Sequence, residues 1–187
     1  MIKAFMGVSI RNPFYSKKEN ILRAIELAKD FDEFLIFVVD HPYRLSLQAF
    51  NGIPEKIAEK TSLEEGEELK KFLINISSNS AKIKICSWKE LEAENYKRIL
   101  TEVKNLENKD KKFSKLIEGE FTGTVISKVG NNLQKKELSK SFIMEELAMF
   151  ISLIEGGYSI RISKYSQSKS VNYFIGKRNL SLKHIRL

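Results

Sequence analysis

Residues 34–39, FLIFVV, put six apolar side chains in a row between two acids, Glu33 and Asp40. A strand turns successive side chains to opposite faces, so an unbroken apolar run of strand length needs cover on both faces. That is the situation of a parallel strand inside an α/β sheet, and it restricts the neighbouring segments. A parallel partner can be reached only by a crossover, usually a helix. The preceding residues supply both parts. Residues 3–8 form a short apolar strand, and residues 16–30 carry Ile21, Leu22, Ile25, Leu27 and Ala28 at helical spacing, with Ser16 and Glu19 in a capping-box pattern. Strand, helix and strand make a right-handed βαβ unit.

The alternation continues. A helix is expected over residues 43–51 with Gly52 as its stop, then one long or two shorter amphipathic helices over 54–76 with Gly66 as the weak point. Residues 82–86 read as a third strand. A long helix over 88–116 turns Leu91, Ile99, Leu100, Val103 and Leu106 inward, and another over 134–154 does so with Leu138, Phe142, Leu147, Phe150 and Ile151. An irregular piece with Gly119, Gly123 and Gly130 separates them, and residues 158–165 and 171–175 read as two further strands. The expected architecture is a single Rossmann-like α/β domain over residues 1–187, a mostly parallel sheet flanked by helices. A chain of 187 residues is long enough to bury one full core.

In such a sheet ligands bind at the carboxyl ends of the strands. The first strand ends in the loop of AFMGVSIRNPFYS, where Ser9 is a hydroxyl nucleophile candidate with Gly7 and Asn12 leaving room for a substrate, and Pro13 keeps Asn12 out of helical geometry. Cys86 is the sole cysteine, which excludes a disulfide framework and a cysteine zinc site and fits a reducing cytoplasm. No leader and no membrane span is expected. Dinucleotide and triphosphate cradles are excluded, since the chain has no Gly-x-Gly-x-x-Gly and no Gly-Lys-Ser/Thr loop. His41 and His184 are not spaced as metal ligands, so no metal and no cofactor is expected; His41, before Pro42 at a strand end, reads as a turn residue rather than a base. Positive charge is clustered. Residues 156–187 hold seven Lys or Arg and no acid, and residues 97–140 hold eleven against six acids, a distribution suited to a polyanion.

Three segments, in order, carry a resemblance. GVSIRNPFYS resembles the nucleophile loop of the cyclodipeptide synthases, FIMEELAMF (residues 142–150) resembles their core helix, and ISKYSQ (residues 162–167) resembles the strand that ends in their catalytic tyrosine. The resemblance implies an enzyme that takes two aminoacyl-tRNAs, without a cofactor, and releases a cyclic dipeptide, on a fold shared with the tyrosyl- and tryptophanyl-tRNA synthetases. By matching motifs it implies that Ser9 accepts the first aminoacyl group, that Glu146 holds the substrate ammonium, that Tyr165 relays a proton, and that Gly7, Asn12 and Phe142 shape the substrate site. The second substrate's amine then attacks the acyl-enzyme, and the dipeptidyl amine attacks its own ester. An aminoacyl ester is already activated, so no Ser-His-Asp triad is needed. The family's basic helix matches the one bearing Lys97, Arg98 and Lys104, with Lys111 and Lys112 further along. Two positions depart from the family: Phe142 stands where a tyrosine is usual, and Ser166 where His or Pro follows the catalytic tyrosine.

Of the adjacent Glu145 and Glu146, at least one is expected to face solvent, and Glu145 is the one expected to matter little. Two other readings stay open. One is a class I aminoacyl-tRNA synthetase-like or nucleotidylyl-transferring enzyme, although His-x-Gly-His is missing and SQSKS only faintly echoes a synthetase loop. The other is a non-catalytic RNA-binding module using the basic faces alone.

Overall fold

The computed structural model describes residues 1–77, 82–92, 94–122 and 132–187. Its elements follow in the order β1 (Lys3–Ser9), α1 (Lys18–Leu27), β2 (Glu33–Val39), α2 (Tyr43–Asn51), α3 (Glu55–Ser77), β3 (Ile83–Ser87), α4 (Trp88–Leu91), α5 (Glu94–Lys109), α6 (Lys111–Thr122), α7 (Leu133–Glu155), β4 (Ile160–Ser163), α8 (Lys169–Lys177) and β5 (Lys183–Arg186). The five strands lie in the order β3-β2-β1-β4-β5 and every neighbouring pair is parallel.

Both faces of the sheet are covered, as the run at residues 34–39 requires. Phe5, Leu35, Phe37 and Val39 point to one side, under Trp88, Tyr96, Ile99, Phe150 and Ile151 of the later helices. Ala4, Met6, Val8, Phe34, Ile36 and Val38 point to the other, against Ile21 and Ala24 of α1 and Leu73 of α3. Each large side chain fully removed from water there contributes about 1.5–3 kcal/mol.

Several local expectations change. Ser16 does not cap α1; its hydroxyl donates to the Pro13 carbonyl at 3.0 Å, and α1 begins after Lys17 with no side-chain cap. Gly66 is no break, because α3 runs through it. A Cβ at that position would stand 2.5 Å from Cβ of Asp40, so the glycine lets α3 press against the end of β2. The helix expected over 88–116 is three helices. Ser87 and Glu90 form a capping box that starts α4, and the Asp110 carboxylate accepts the N–H groups of Lys112 and Phe113 at 3.0 and 3.1 Å, starting α6. Gly119 lies inside α6, while Gly123 and Gly130 fall outside the described residues.

The strand expected over 158–165 is confined to Ile160–Ser163, and the one expected over 171–175 is the helix α8. Ser168 caps α8 by accepting the Val171 N–H at 3.2 Å, and Val171, Phe174 and Ile175 then share one buried face. That helix is the crossover that brings β5, unanticipated from the sequence, parallel to β4. Among the described residues no helix is long and apolar enough to cross a membrane.

Candidate active site

The strand order reverses between β1 and β4, since β2 and β3 lie to one side of β1 and β5 lies beyond β4. Crossovers leaving in opposite directions open a crevice at the carboxyl ends of those two strands. A cavity of about 450 Å³ occupies this position, with Gly7, Ser9, Phe142, Glu146, Arg161 and Tyr165 in its walls. Five of these six were singled out in the sequence; Arg161 was not.

β1 contributes the first wall. Gly7 has Phe37 behind it, and a Cβ there would come within 3.0 Å of that ring, so the glycine keeps the wall thin next to Ser9. After Ser9 the chain turns sharply. Arg11 takes a left-handed φ of 56° and is held there by a two-point pairing of its guanidinium with Glu65 of α3, at 2.9 and 2.5 Å. Asn12 accepts the Phe14 N–H on its side-chain oxygen at 3.0 Å and donates from its amide nitrogen to the Tyr165 hydroxyl at 3.2 Å. Asn12 thus ties the loop after β1 to the loop after β4 across the crevice, without itself lining the cavity. Among the described residues the Ser9 hydroxyl has no histidine or carboxylate hydrogen-bonded to it.

The opposite wall is α7. Phe142, Glu146 and Phe150 stand four residues apart and so on one face of the helix. Burial pushes the Glu146 carboxyl up to about 7, with the Arg161 charge opposing the shift and the Glu120 charge adding to it. Glu145 takes a different direction, as one residue of helix turns about 100°. It is 8% exposed and accepts both terminal nitrogens of the Arg44 guanidinium of α2, at 3.1 and 3.0 Å. The expectation that one of the two acids faces solvent therefore fails. One faces the cavity and the other holds α2 to α7, because α7 is packed on more sides than a surface helix.

The third wall follows β4. Tyr165 is 52% exposed at the rim, next to Ser166. Its backbone carbonyl accepts the Ser163 hydroxyl at 2.7 Å, and Lys164 lies over both the Phe14 and Tyr165 rings at 5.0 and 5.5 Å. Deeper in, Arg161 lies over the Phe150 ring at 4.2 Å. Burial lowers its pKa, and the nearby charges of Glu146, Tyr15 and Glu120 work against that. Tyr15, also in the wall, is pushed up to about 12 by burial and keeps its proton. Glu120 at the end of α6 accepts the Ser170 N–H and hydroxyl at 2.6 and 2.7 Å, which satisfies the start of α8.

The three basic residues singled out for nucleic acid lie elsewhere. Lys97, Arg98 and Lys104 are exposed on α5, and none lines the cavity. Arg98 is engaged: it pairs with Glu102 at 2.5 Å and with Glu155 at 2.6 Å, and Arg178 pairs with the same two carboxylates. Lys97 and Lys104 have no ion pair among the described residues. His41 is outside the cavity too, in the turn where the Tyr43 N–H meets the Asp40 carbonyl at 3.0 Å. Among the described residues no three His, Cys, Asp or Glu stand together as a metal site would require.

No protein-family profile matches the chain, and no curated protein matches it in sequence. Its fold, in contrast, is similar to solved structures of cyclodipeptide synthases. The CDPS from Fluoribacter dumoffii matches with a TM-score of 0.83 at 16% identity, over 99% of this chain and 88% of that one. AlbC, a cyclodipeptide synthase from Streptomyces noursei, matches with a TM-score of 0.73 at 15% identity, over 99% and 95%. The cyclodipeptide synthase from Candidatus Glomeribacter gigasporarum, solved bound to Phe-tRNAPhe, matches with a TM-score of 0.67 at 13% identity, over 99% and 87%. The Rossmann-like architecture expected from the sequence is the fold these enzymes have.

Proposed function

We propose that this chain is a tRNA-dependent cyclodipeptide synthase, joining two aminoacyl groups from aminoacyl-tRNAs through an aminoacyl-Ser9 intermediate, and that it works in the cytoplasm where charged tRNAs are made. The observation that carries this reading is the convergence of Ser9, Glu146 and Tyr165 on one cavity at the strand-order reversal. These residues lie far apart in the chain, and a surface that only gripped RNA would have no need to bring them together inside a pocket.

The chemistry follows from what each group can do. The Ser9 hydroxyl attacks the ester carbonyl of the first aminoacyl-tRNA; the bond to the terminal ribose breaks, and the ribose hydroxyl leaves with a proton. Among the described residues Ser9 has no hydrogen-bonded base, which is tolerable for an activated ester and would not be for an amide. Glu146 receives the substrate ammonium, and its pKa near 7 lies close to the roughly 7.7–8.0 of an α-amine, so it can also take the proton when that amine must become a nucleophile. The amine of the second aminoacyl-tRNA attacks the acyl carbonyl on Ser9; the Ser9 ester bond breaks, the serine oxygen regains a proton, and a linear dipeptide is left esterified to the second tRNA. Its free amine then attacks that ester, closing the ring and releasing the carrier, an intramolecular step with a high effective concentration. The Tyr165 hydroxyl, held by Asn12, relays protons at the rim. Phe142 offers no hydroxyl there, so the ammonium depends on Glu146 alone in that wall. On α5, Lys97 and Lys104, which have no ion pair among the described residues, are the cations we assign to tRNA phosphates, with Arg98 secondary because its charge is already paired.

The test is reconstitution. Purified protein incubated with a mixture of aminoacyl-tRNAs should yield a cyclic dipeptide by mass spectrometry, with no requirement for ATP. ATP-dependent aminoacyl-adenylate formation without a cyclic product would move the chain to the synthetase-like reading. RNA binding with neither product would leave only the binding module.

A further inference from the structure

Arg161 is a charged residue of the cavity wall that the chemistry above leaves without a task. Among the described residues its guanidinium meets no hydrogen-bond acceptor and no carboxylate within ion-pair distance; its close contact is the Phe150 ring at 4.2 Å. Five N–H donors in a fixed planar fork thus belong to the cavity wall with no acceptor for them among the described residues. We infer that Arg161 selects an aminoacyl group whose side chain ends in a carboxylate, the inference resting on the synthase reading of the cavity.

Depth decides between the acyl group and the tRNA as the source of the acceptor. In the parallel register Arg161 is opposite Phe5, which is two residues below Gly7 and four below Ser9 along β1. At a strand rise of about 3.3 Å per residue, the Arg161 backbone lies on the order of 13 Å below that of Ser9, on the floor side of the cavity. The helix wall agrees. Phe150, on which Arg161 is stacked, lies one turn of α7 beyond Glu146, on the side away from Phe142. With the acyl carbonyl at Ser9 and the ammonium at Glu146, the side chain of the amino acid is the part that reaches down to Arg161. The phosphates and ribose of the tRNA remain at the mouth.

Charge favours a carboxylate over a neutral acceptor. Glu146 is taken by the ammonium, and Glu120 is taken by the Ser170 N–H and hydroxyl at the start of α8. Arg161 then needs a counter-ion from the ligand, and a carboxylate meets the fork at two points. A wholly aliphatic side chain would displace water from the guanidinium and give it nothing in return. The apolar lining does not conflict with this, since Phe150 and Leu147 would pack the methylene stem of a glutamyl group.

The test is a loading panel read by intact-protein mass. Purified protein is mixed separately with glutamyl-, aspartyl-, glutaminyl-, leucyl- and phenylalanyl-tRNA, and acyl-enzyme formation is timed. A glutamyl or aspartyl group should load at least about tenfold faster than the other three, the worth of one charged hydrogen bond. Arg161→Met should lose that preference and load leucyl at least as well, while Arg161→Lys should keep part of it; circular dichroism accompanies both. Faster loading of leucyl or phenylalanyl by the unaltered protein overturns the inference and leaves the synthase reading standing. An unchanged preference in folded Arg161→Met overturns it too. No loading from any of the five overturns the inference, and the synthase reading is then decided by the aminoacyl-tRNA mixture of the reconstitution.

Discussion

Replacing Glu145 by glutamine separates the two acids of α7 by what each does for the protein. The Glu145 and Arg44 side chains are 10% and 17% exposed, and the two-point contact joins α7 to α2. Glutamine keeps the shape and one acceptor but removes the charge, so Arg44 retains the His41 carbonyl, at 2.6 Å, and one amide oxygen as partners and loses its counter-ion. Breaking a buried pair on one side typically costs about 3–5 kcal/mol, and the low end applies because the pair is not fully dry and one acceptor survives. At about 2–4 °C per kcal/mol for a protein of this size, a loss of about 3 kcal/mol lowers Tm by about 6–12 °C. The assay is thermal and urea denaturation followed by circular dichroism, with Glu146→Gln alongside. Activity per folded molecule should change little in Glu145→Gln. A second variant, Glu145→Leu with Arg44→Met, should recover most of the loss, since no uncompensated charge then remains. A Tm within about 2 °C of the unaltered protein for Glu145→Gln, or a double variant that loses as much as the two single changes together, would refute the reasoning.

Glu146→Gln should act in the opposite sense on stability and be strongly damaging to activity. The carboxyl titrates near 7 in the folded protein against 4.5 ordinarily, so between those values the folded state holds a proton that the unfolded chain has released, and raising pH through that window costs stability that the glutamine variant does not lose. The variant's advantage in urea midpoint should therefore be small at about pH 5 and larger at about pH 8, and an equal difference at both would contradict the assignment. Gly66→Ala should destabilise despite alanine's helix propensity, because a Cβ 2.5 Å from Cβ of Asp40 forces α3 off β2 at a cost of about 1–3 kcal/mol; a stabilised variant in the same denaturation assay would show that the two elements separate freely. Lys97→Ala with Lys104→Ala should flatten the log–log salt dependence of tRNA binding by about 0.7–0.9 per contact removed, and an unchanged slope would move the interface to the basic segment around α8 and β5.

What the sequence disclosed and what it hid both have physical causes. The run at 34–39 was legible as a strand because it has strand length, is rich in β-branched and aromatic residues and is bounded by acids, and the loop at Ser9 followed from where that strand's partner ends. Residues 171–175 misled because Val171, Tyr173 and Ile175 fit a period of two as well as Val171, Phe174 and Ile175 fit a helix, and β-branched and aromatic residues tipped the choice. The decisive signal was Ser168, whose hydroxyl caps the helix three residues before the apolar face begins to repeat. β5 has one strongly apolar residue, Ile185, and as a short edge strand it needs no more. The break before α6 was written in Asp110, a capping residue inside what looked like one continuous helix.

Arg161 was hidden by a correct pattern. Alternation around Ile160 and Ile162 puts Arg161 on the opposite face of β4, and in an antiparallel sheet that face is commonly solvent. The strand instead sits between β1 and β5 with helices over both faces, so its charged residue ends in the cavity rather than in water. The Glu145–Arg44 pair was beyond reach for a related reason: its partners are 101 residues apart, and nothing local marks them as neighbours.

The central claim is that Ser9 carries the acyl group. Its most direct test is intact-protein mass spectrometry of the purified chain quenched in acid within seconds of mixing with aminoacyl-tRNA, beside Ser9→Ala. The account predicts a mass increase of one aminoacyl group, localised to the peptide containing Ser9 and absent from the alanine variant, which should fold and make no cyclic product. A well-folded Ser9→Ala protein that forms cyclic dipeptide at the unaltered rate, or an adduct that maps to another residue, would contradict it.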